Sequence, residues 1–392
     1  MSDRIYFDNS ATTPLDPRVT KAMEPYFAGI FGNPSSLHWA GREARAAIDQ
    51  ARQQVADLFN AHPKEIIFTA SGTESDNLAL IGVIEGLGQR ENHLITSAIE
   101  HPAILETTRY LERQGVEVTY LDVDGDGLVD PNDLQKALRP TTRLVSIMAA
   151  NNVVGTLQPI TELARITHEH GALFHTDAVQ AVGKIPLNVK TQPIDLLSLS
   201  AHKLHGPKGV GALYVRSGVS IKPLVHGGGQ ERGLRSATEN VAGLVGLGQT
   251  AEIARAEMSD EASRLVQLRD QLIETITTIL PNTYLIGHRY RRLPGHVCLG
   301  LAGQEGEAIK LLLALDEAGI AISTGSACSA HQGSEPSYIL RAMGFDLIRA
   351  RGSLRITLGR FNTAAEVDRF LIVLPQIAAD LRPITSRHFV AA

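Results

Sequence analysis

Between positions 17 and 215, short apolar runs alternate with amphipathic stretches. Glu65-Ile-Ile-Phe-Thr69, His93-Leu-Ile-Thr-Ser97, Val116-Glu-Val-Thr-Tyr-Leu121, Arg143-Leu-Val-Ser-Ile-Met148 and Ala172-Leu-Phe-His175 are rich in β-branched and aromatic residues, and each predicts a strand. Helical patterns over 74–85, 133–138 and 160–170 separate them, the last stopped by Gly171, where a left-handed residue ends a helix. Such alternation implies a mostly parallel sheet with helices on both faces, and ligands bind such sheets beyond the carboxyl ends of the strands. A long charged helix, about 241–280, leads to a smaller α/β region with strands expected at 296–301, 320–324 and 351–358. Helices are expected there at 307–318 and 364–381. The pattern therefore predicts two domains joined by a helix.

Composition narrows the class. The 392 residues, 43% of them hydrophobic, are enough to bury a substantial core. A net charge of −5 leaves no electrostatic footprint for nucleic acid or an anionic membrane. Charges at Asp3, Arg4 and Asp8 fall where a signal peptide needs apolar residues, and no apolar run approaches the roughly 18 residues of a membrane helix. Cys298 and Cys328 are the only cysteines, too few for a disulfide framework. The expectation is a cytoplasmic enzyme.

Lys203 carries the strongest chemical signal. It ends the run Asp195-Leu-Leu-Ser-Leu-Ser200-Ala-His-Lys203, and an amine at the mouth of a strand is poorly explained by packing. A partly desolvated lysine loses its proton readily and can form a Schiff base. Asp177 ends the preceding strand run, and a carboxylate there suits the protonated ring nitrogen of pyridoxal 5′-phosphate (PLP). Between strand and helix, Thr69-Ala-Ser-Gly72-Thr73 offers backbone N–H groups and a helix dipole to a phosphate, although an N-capping turn explains it equally on its own. Ser200 and His202 can add phosphate donors, and Asn152 and Gln180 are uncharged donors for the ring hydroxyl. His101 follows its strand closely and can stack on a ring or move a proton. Arg355, inside an alternating strand, suits capture of a substrate carboxylate.

The two cysteines differ. Cys298 lies in the apolar run 296–301 and reads as core. Cys328 lies among small polar residues in Ser323-Thr-Gly-Ser-Ala-Cys328-Ser, where a thiol on a mobile loop is exposed and nucleophilic. Other signals lead nowhere. Asp122-Val-Asp-Gly-Asp-Gly-Leu-Val-Asp-Pro-Asn-Asp133 imitates a calcium loop but follows a strand and ends in Asp, so it reads as an acidic turn. His226-Gly-Gly-Gly229 has no accompanying Gly-x-Ser-x-Gly elbow, and His168 and His170 are spaced as a solvated helix face. No metal-ligand set is expected.

Taken together, these segments resemble the NifS/IscS-like cysteine desulfurases, class V of the fold-type I PLP enzymes, over about 6–381. The matching segments include Tyr6-Phe-Asp-Asn-Ser-Ala-Thr-Thr-Pro14, Gly72-Thr-Glu-Ser-Asp-Asn77, Glu100-His101, His175-Thr-Asp-Ala-Val-Gln180, Ser200-Ala-His-Lys203 and Gly325-Ser-Ala-Cys328. The resemblance implies a large domain, 14–257, with a mostly parallel seven-stranded sheet. It implies a smaller α/β domain made of 1–13 and 258–392, carrying the Cys328 loop. It also implies a homodimer in which Thr238 reaches the partner subunit's PLP phosphate, while Asn33, Asn152 and Arg355 hold the substrate carboxylate. The implied reaction converts L-cysteine to L-alanine, with sulfur passing to Cys328 as a persulfide and His101 shuttling a proton. Recipients would be an iron–sulfur scaffold or a sulfur-carrier protein, and a cluster could bind transiently through Cys328. A cystine C–S lyase or a class V aminotransferase is the alternative.

Overall fold

A computed structural model of the chain describes residues 4–88, 92–325 and 336–381. Its strands are β1 (Ile5–Tyr6), β2 (Ile66–Thr69), β3 (His93–Ser97), β4 (Glu117–Leu121), β5 (Thr142–Ser146), β6 (Leu173–Asp177), β7 (Leu196–Ser200), β8 (Gly211–Val215), β9 (Thr283–Leu285), β10 (His296–Leu301), β11 (Ile320–Ala321), β12 (Ser323–Thr324) and β13 (Ser353–Thr357). Seven of them form one sheet in the order β2-β8-β7-β6-β5-β3-β4, in which only β8 runs against its neighbours. Strands β2, β3, β7 and β8 are buried along their whole length, the signature of a sheet covered on both faces. The parallel strands β3, β5, β6 and β7 end in Ser97, Ser146, Asp177 and Ser200, so the loops that follow share one sheet edge.

The second body has an antiparallel sheet, β12-β13-β10-β9, and a parallel pair of β1 with β11. The expected strand 320–324 is thus two short strands in different sheets, breaking at Ile322. Ile5 and Phe7 pack into this body with Leu272, Val297, Leu315, Ile356 and Phe370, and Phe7 meets Phe370 edge to face at 5.8 Å. The helix Val241–Ile279 serves both cores: Leu244, Leu247 and Ala251 face the first, and Leu265, Leu272 and Ile276 face the second.

The helices Pro17–Met23, Trp39–Phe59 and Pro102–Arg113 were not singled out by the hydrophobic pattern. In Trp39–Phe59 much of the buried stripe is Ala40, Ala44, Ala47, Ala51 and Ala56, whose small side chains give little periodic signal. They matter because they let two helices approach closely: a Cβ on Gly248 would lie 2.6 Å from Ala51 Cα. His168 is also not simply solvated, since its Nε2 lies 2.6 Å from Asp195 Oδ2. In the acidic turn, Asp124 Oδ1 accepts the N–H groups of Asp126 and Leu128, and Asp130 caps the helix Pro131–Ala137. Among the described residues no helix is long and apolar enough to cross a membrane.

Candidate active site

The carboxyl ends of the parallel strands open into a cavity of about 510 Å³. Gly72, Thr73, His101, Asn152, Asp177, Gln180, Ser200, His202, Lys203 and Arg355 all line it, so ten positions scattered over 284 residues of chain converge on one space. Asn33 and Thr238 do not line it; both are exposed. Cys328 lies outside the described residues. Cys298 is fully buried beside Ile286 and Ile339, and burial pushes its thiol up to about 11.

Lys203 follows β7 in a single 3₁₀ turn. Its Nζ donates to the backbone carbonyls of Ser10 at 2.5 Å and Ala11 at 2.7 Å, both on the N-terminal segment. Ser10 O also accepts from Gln180 Nε2 at 3.0 Å, and Gln180 Oε1 accepts from Lys184 Nζ at 3.2 Å. Asp177, at the end of β6, accepts the Val179 N–H at 2.9 Å, as a helix-capping residue would. Burial nevertheless raises its carboxyl, with His101 and Lys203 pulling the other way.

His101 caps the helix Pro102–Arg113, its Nδ1 accepting the Ala103 N–H at 3.1 Å. Burial lowers its pKa, so the neutral ring carries its proton on Nε2. His202 is likewise held neutral, down to about 4, first by burial and then by Lys203 and other lysines. Ser71, not Gly72, caps the helix Gly72–Gly86 by accepting the Glu74 N–H at 3.0 Å, and Gly72 and Thr73 of the first turn line the cavity. A Cβ on Gly72 would come within 2.7 Å of Val179 Cγ2, so a glycine there also keeps this helix against the loop after Asp177.

Arg355 is 2% exposed, and two of its N–H groups are already engaged: Nη2 donates to Asp8 Oδ1 at 2.9 Å and Nη1 to the Asn152 carbonyl at 3.1 Å. Its Nε and the Asn152 Oδ1 have no protein partner, although both are buried at the cavity. Asp8, Ser10, Ala11 and Asp76 also line the site without having been read from the sequence. Asp8 and Ser10 lie within the matched segment at 6–14, but nothing local marks them as cavity residues.

Glu100 lies just behind this wall, fully buried. Its Oε1 accepts from Ser97 Oγ at 2.6 Å and Met148 N at 3.0 Å, while Oε2 has no partner. Burial pushes its carboxyl from 4.5 up to about 8. A carboxyl raised in the folded state supports the fold fully below its unfolded value and loses that support as pH climbs through about 8. Glu100→Gln mimics the protonated group and is expected to melt higher than the parent from about pH 6 upward. Its advantage should grow with pH at about 1.4 kcal/mol per unit and level off above about 8. Superimposable melting-temperature curves between pH 5 and 9 would refute this.

The residues present fit PLP. A buried carboxyl, an amine, a helix N-terminus and unpartnered polar atoms at Asn152 and Arg355 surround a space of the right size for a phosphorylated pyridine. The comparisons agree with that geometry. Residues 5–370 match the family described as aminotransferase class-V. The chain is 50% identical over 385 residues to cysteine desulfurase IscS of Dictyoglomus turgidum, covering 98% of this chain and 97% of the relative. It is equally identical over 388 residues to IscS of Methanosarcina thermophila, covering 98% and 95%. A solved NifS-like protein superposes with a TM-score of 0.90 at 42% identity, covering 96% of this chain and 100% of that one. SspA, solved in complex with cysteine, gives 0.81 at 37% identity, covering 92% and 100%. The chain belongs to the class-V aminotransferase family and, within it, to the NifS/IscS-like cysteine desulfurases, PLP-dependent enzymes of fold type I.

Proposed function

We propose that this protein converts L-cysteine to L-alanine and delivers the sulfur to an acceptor by way of Cys328. The observation that carries the reading is the placement of Lys203, Asp177 and His101 around one cavity with Asn152 and Arg355. When bound, PLP supplies an electron sink for the substrate Cα. Lys203 would contribute the nitrogen that holds the cofactor and the base that takes the Cα proton, and its Nζ is positioned by the Ser10 and Ala11 carbonyls. Asp177 would face the ring nitrogen. The first-turn N–H groups at Gly72 and Thr73, with Ser200 and His202, would hold the phosphate. Arg355, steadied by Asp8, and Asn152 orient the substrate carboxylate. His101 exchanges a proton at Nε2. The Cys328 thiolate attacks the substrate sulfur: an S–S bond forms, the S–Cβ bond breaks, and Cβ keeps the electron pair and takes a proton. Alanine and one persulfide result, and atoms and electrons balance.

In this reading Thr238, exposed on one chain, reaches the PLP phosphate of the partner subunit across a homodimer interface, and Asn33, also exposed, joins Arg355 at the substrate carboxylate. The exposed apolar side chains Phe27, Phe31, Leu37 and Trp39 near Asn33 support a surface of that kind. The packing of Ile5 and Phe7 into the second core supports a small domain made of 1–13 and 258–392. The acceptor is an iron–sulfur scaffold or a sulfur carrier, in the cytoplasm. The test is product stoichiometry. Purified protein given L-cysteine and a thiol reductant is expected to release alanine and sulfide in equal amounts. Pyruvate and ammonia in place of alanine would overturn the reading in favour of a C–S lyase.

A further inference from the structure

Asp177 and Asp76 line the cavity and Glu100 lies behind its wall, so three buried carboxyl groups neighbour one another. Asp76 belongs to the helix Gly72–Gly86, is 1% exposed and lines the cavity, and its Oδ1 has no hydrogen-bond partner. Nothing in the chemistry above uses it.

The groups facing Asp76 decide its charge. From β6 come Asp177 and His175, whose Nε2 lies 3.8 Å from Asp76 Oδ1. His175 offers no cation: its Nδ1 lies 2.8 Å from Ser146 Oγ, its Nε2 lies 3.0 Å from Ser198 Oγ, and burial lowers its pKa to about 3. From the end of β3 come Glu100, another carboxyl, and His101, a neutral ring. Lys203 and Arg355 line the same cavity, but their nitrogens reach the Ser10 and Ala11 carbonyls and the Asp8–Asn152 pair respectively. A carboxylate so buried, beside two others and with no cation at hydrogen-bond distance, takes up a proton instead of remaining charged. Burial, and then the nearby Asp177 and Glu100, push the Asp76 carboxyl well above its ordinary range, although a hydrogen bond from the Ser198 side chain pulls the other way.

We propose that Asp76 is a positioning residue of the cofactor cavity, a carboxylic acid that keeps its proton so that Asp177 alone is the anion presented to the ring nitrogen. Three charged carboxylates would repel one another and compete for one cationic nitrogen. Two protonated ones leave a single charge in a fixed place, and the protonated Asp76 adds an O–H donor to the wall. The inference rests on the cofactor reading above, because only a ring nitrogen gives Asp177 its preferred claim to the charge.

The measurement is infrared absorption of the PLP-loaded protein in the C=O region of protonated carboxyls, at neutral pH, for the parent, Asp76→Asn and Glu100→Gln. Two buried acids should supply that absorption, so Asp76→Asn is expected to remove about half of it and Glu100→Gln the other half. A purely structural Asp76, charged and paired through reorganisation, would leave the band untouched. If Asp76→Asn does not fold, Glu100→Gln carries the test alone: the remaining band must persist while the cofactor colour is intact, and its absence overturns the proposal. A coloured protein whose band ignores Asp76→Asn overturns this inference while leaving the cofactor reading standing. A protein that takes up no PLP overturns both.

Discussion

Lys203→Ala is expected to leave a folded protein that no longer holds PLP covalently and has lost turnover of L-cysteine by at least about 10⁴-fold. Loss of a positioned base alone accounts for roughly 10²–10⁴ of that, and loss of the attaching nitrogen adds to it. The structure gives a reason why no other amine substitutes. Lys184 is the nearby alternative, and burial followed by the Lys203 charge lowers its pKa to about 7, so it is reactive enough. However, its Nζ is turned to Gln180 Oε1 and lines the neighbouring cavity, outside the one that holds Asp177 and His101. Borohydride reduction followed by peptide mass analysis checks this: the parent should carry the cofactor on Lys203, and the variant should carry none. Cofactor trapped at another lysine with turnover preserved would show that the assignment is wrong.

Cys328→Ala should separate the two halves of the reaction. Cofactor colour and the L-cysteine-induced spectral change are expected to survive, since Lys203, Asp177, Asn152 and Arg355 are unaltered. Persulfide delivery to any acceptor should vanish, because no atom remains to take the substrate sulfur. Cys298 cannot stand in: it is fully buried, and its raised pKa keeps it a thiol where a thiolate is needed. Cys328 follows Gly325 by three residues. Gly325 is pinned through its N–H to Ser353 Oγ at 3.1 Å, and Ser323 lines the cavity. Labelled sulfur from L-cysteine, followed to a thiol acceptor, provides the readout. A Cys328→Ala protein that still delivers labelled persulfide would show that the nucleophile assignment is wrong.

The sequence was informative wherever chemistry and local geometry coincide. Strand ends are marked by the change from apolar to polar residues, so Asp177 and Lys203 could be placed on one sheet edge from the run lengths alone, and both line the cavity. Gly72, His101 and Ser200 were legible for the same reason. Asp8, Ser10 and Ala11 were not legible as cavity residues, because their place depends on the N-terminal segment crossing to β13 and to the turn at Lys203, hundreds of residues away. Asp76 was hidden differently. In a helix it reads as a polar position, and only the packing of β6 and Glu100 against that helix reveals a buried acid.

The chain itself determined which side chains could do the chemistry and, through the alternation of strand and helix, that their loops would gather at one edge, since periodicity and strand ends are local properties of the backbone. Tertiary structure decided the rest: that 320–324 divides between two sheets, that Arg355 is braced by Asp8, and which carboxyls lose their water. Desolvation and long-range pairing are set by whatever surrounds a group in three dimensions, and no stretch of neighbouring residues encodes that.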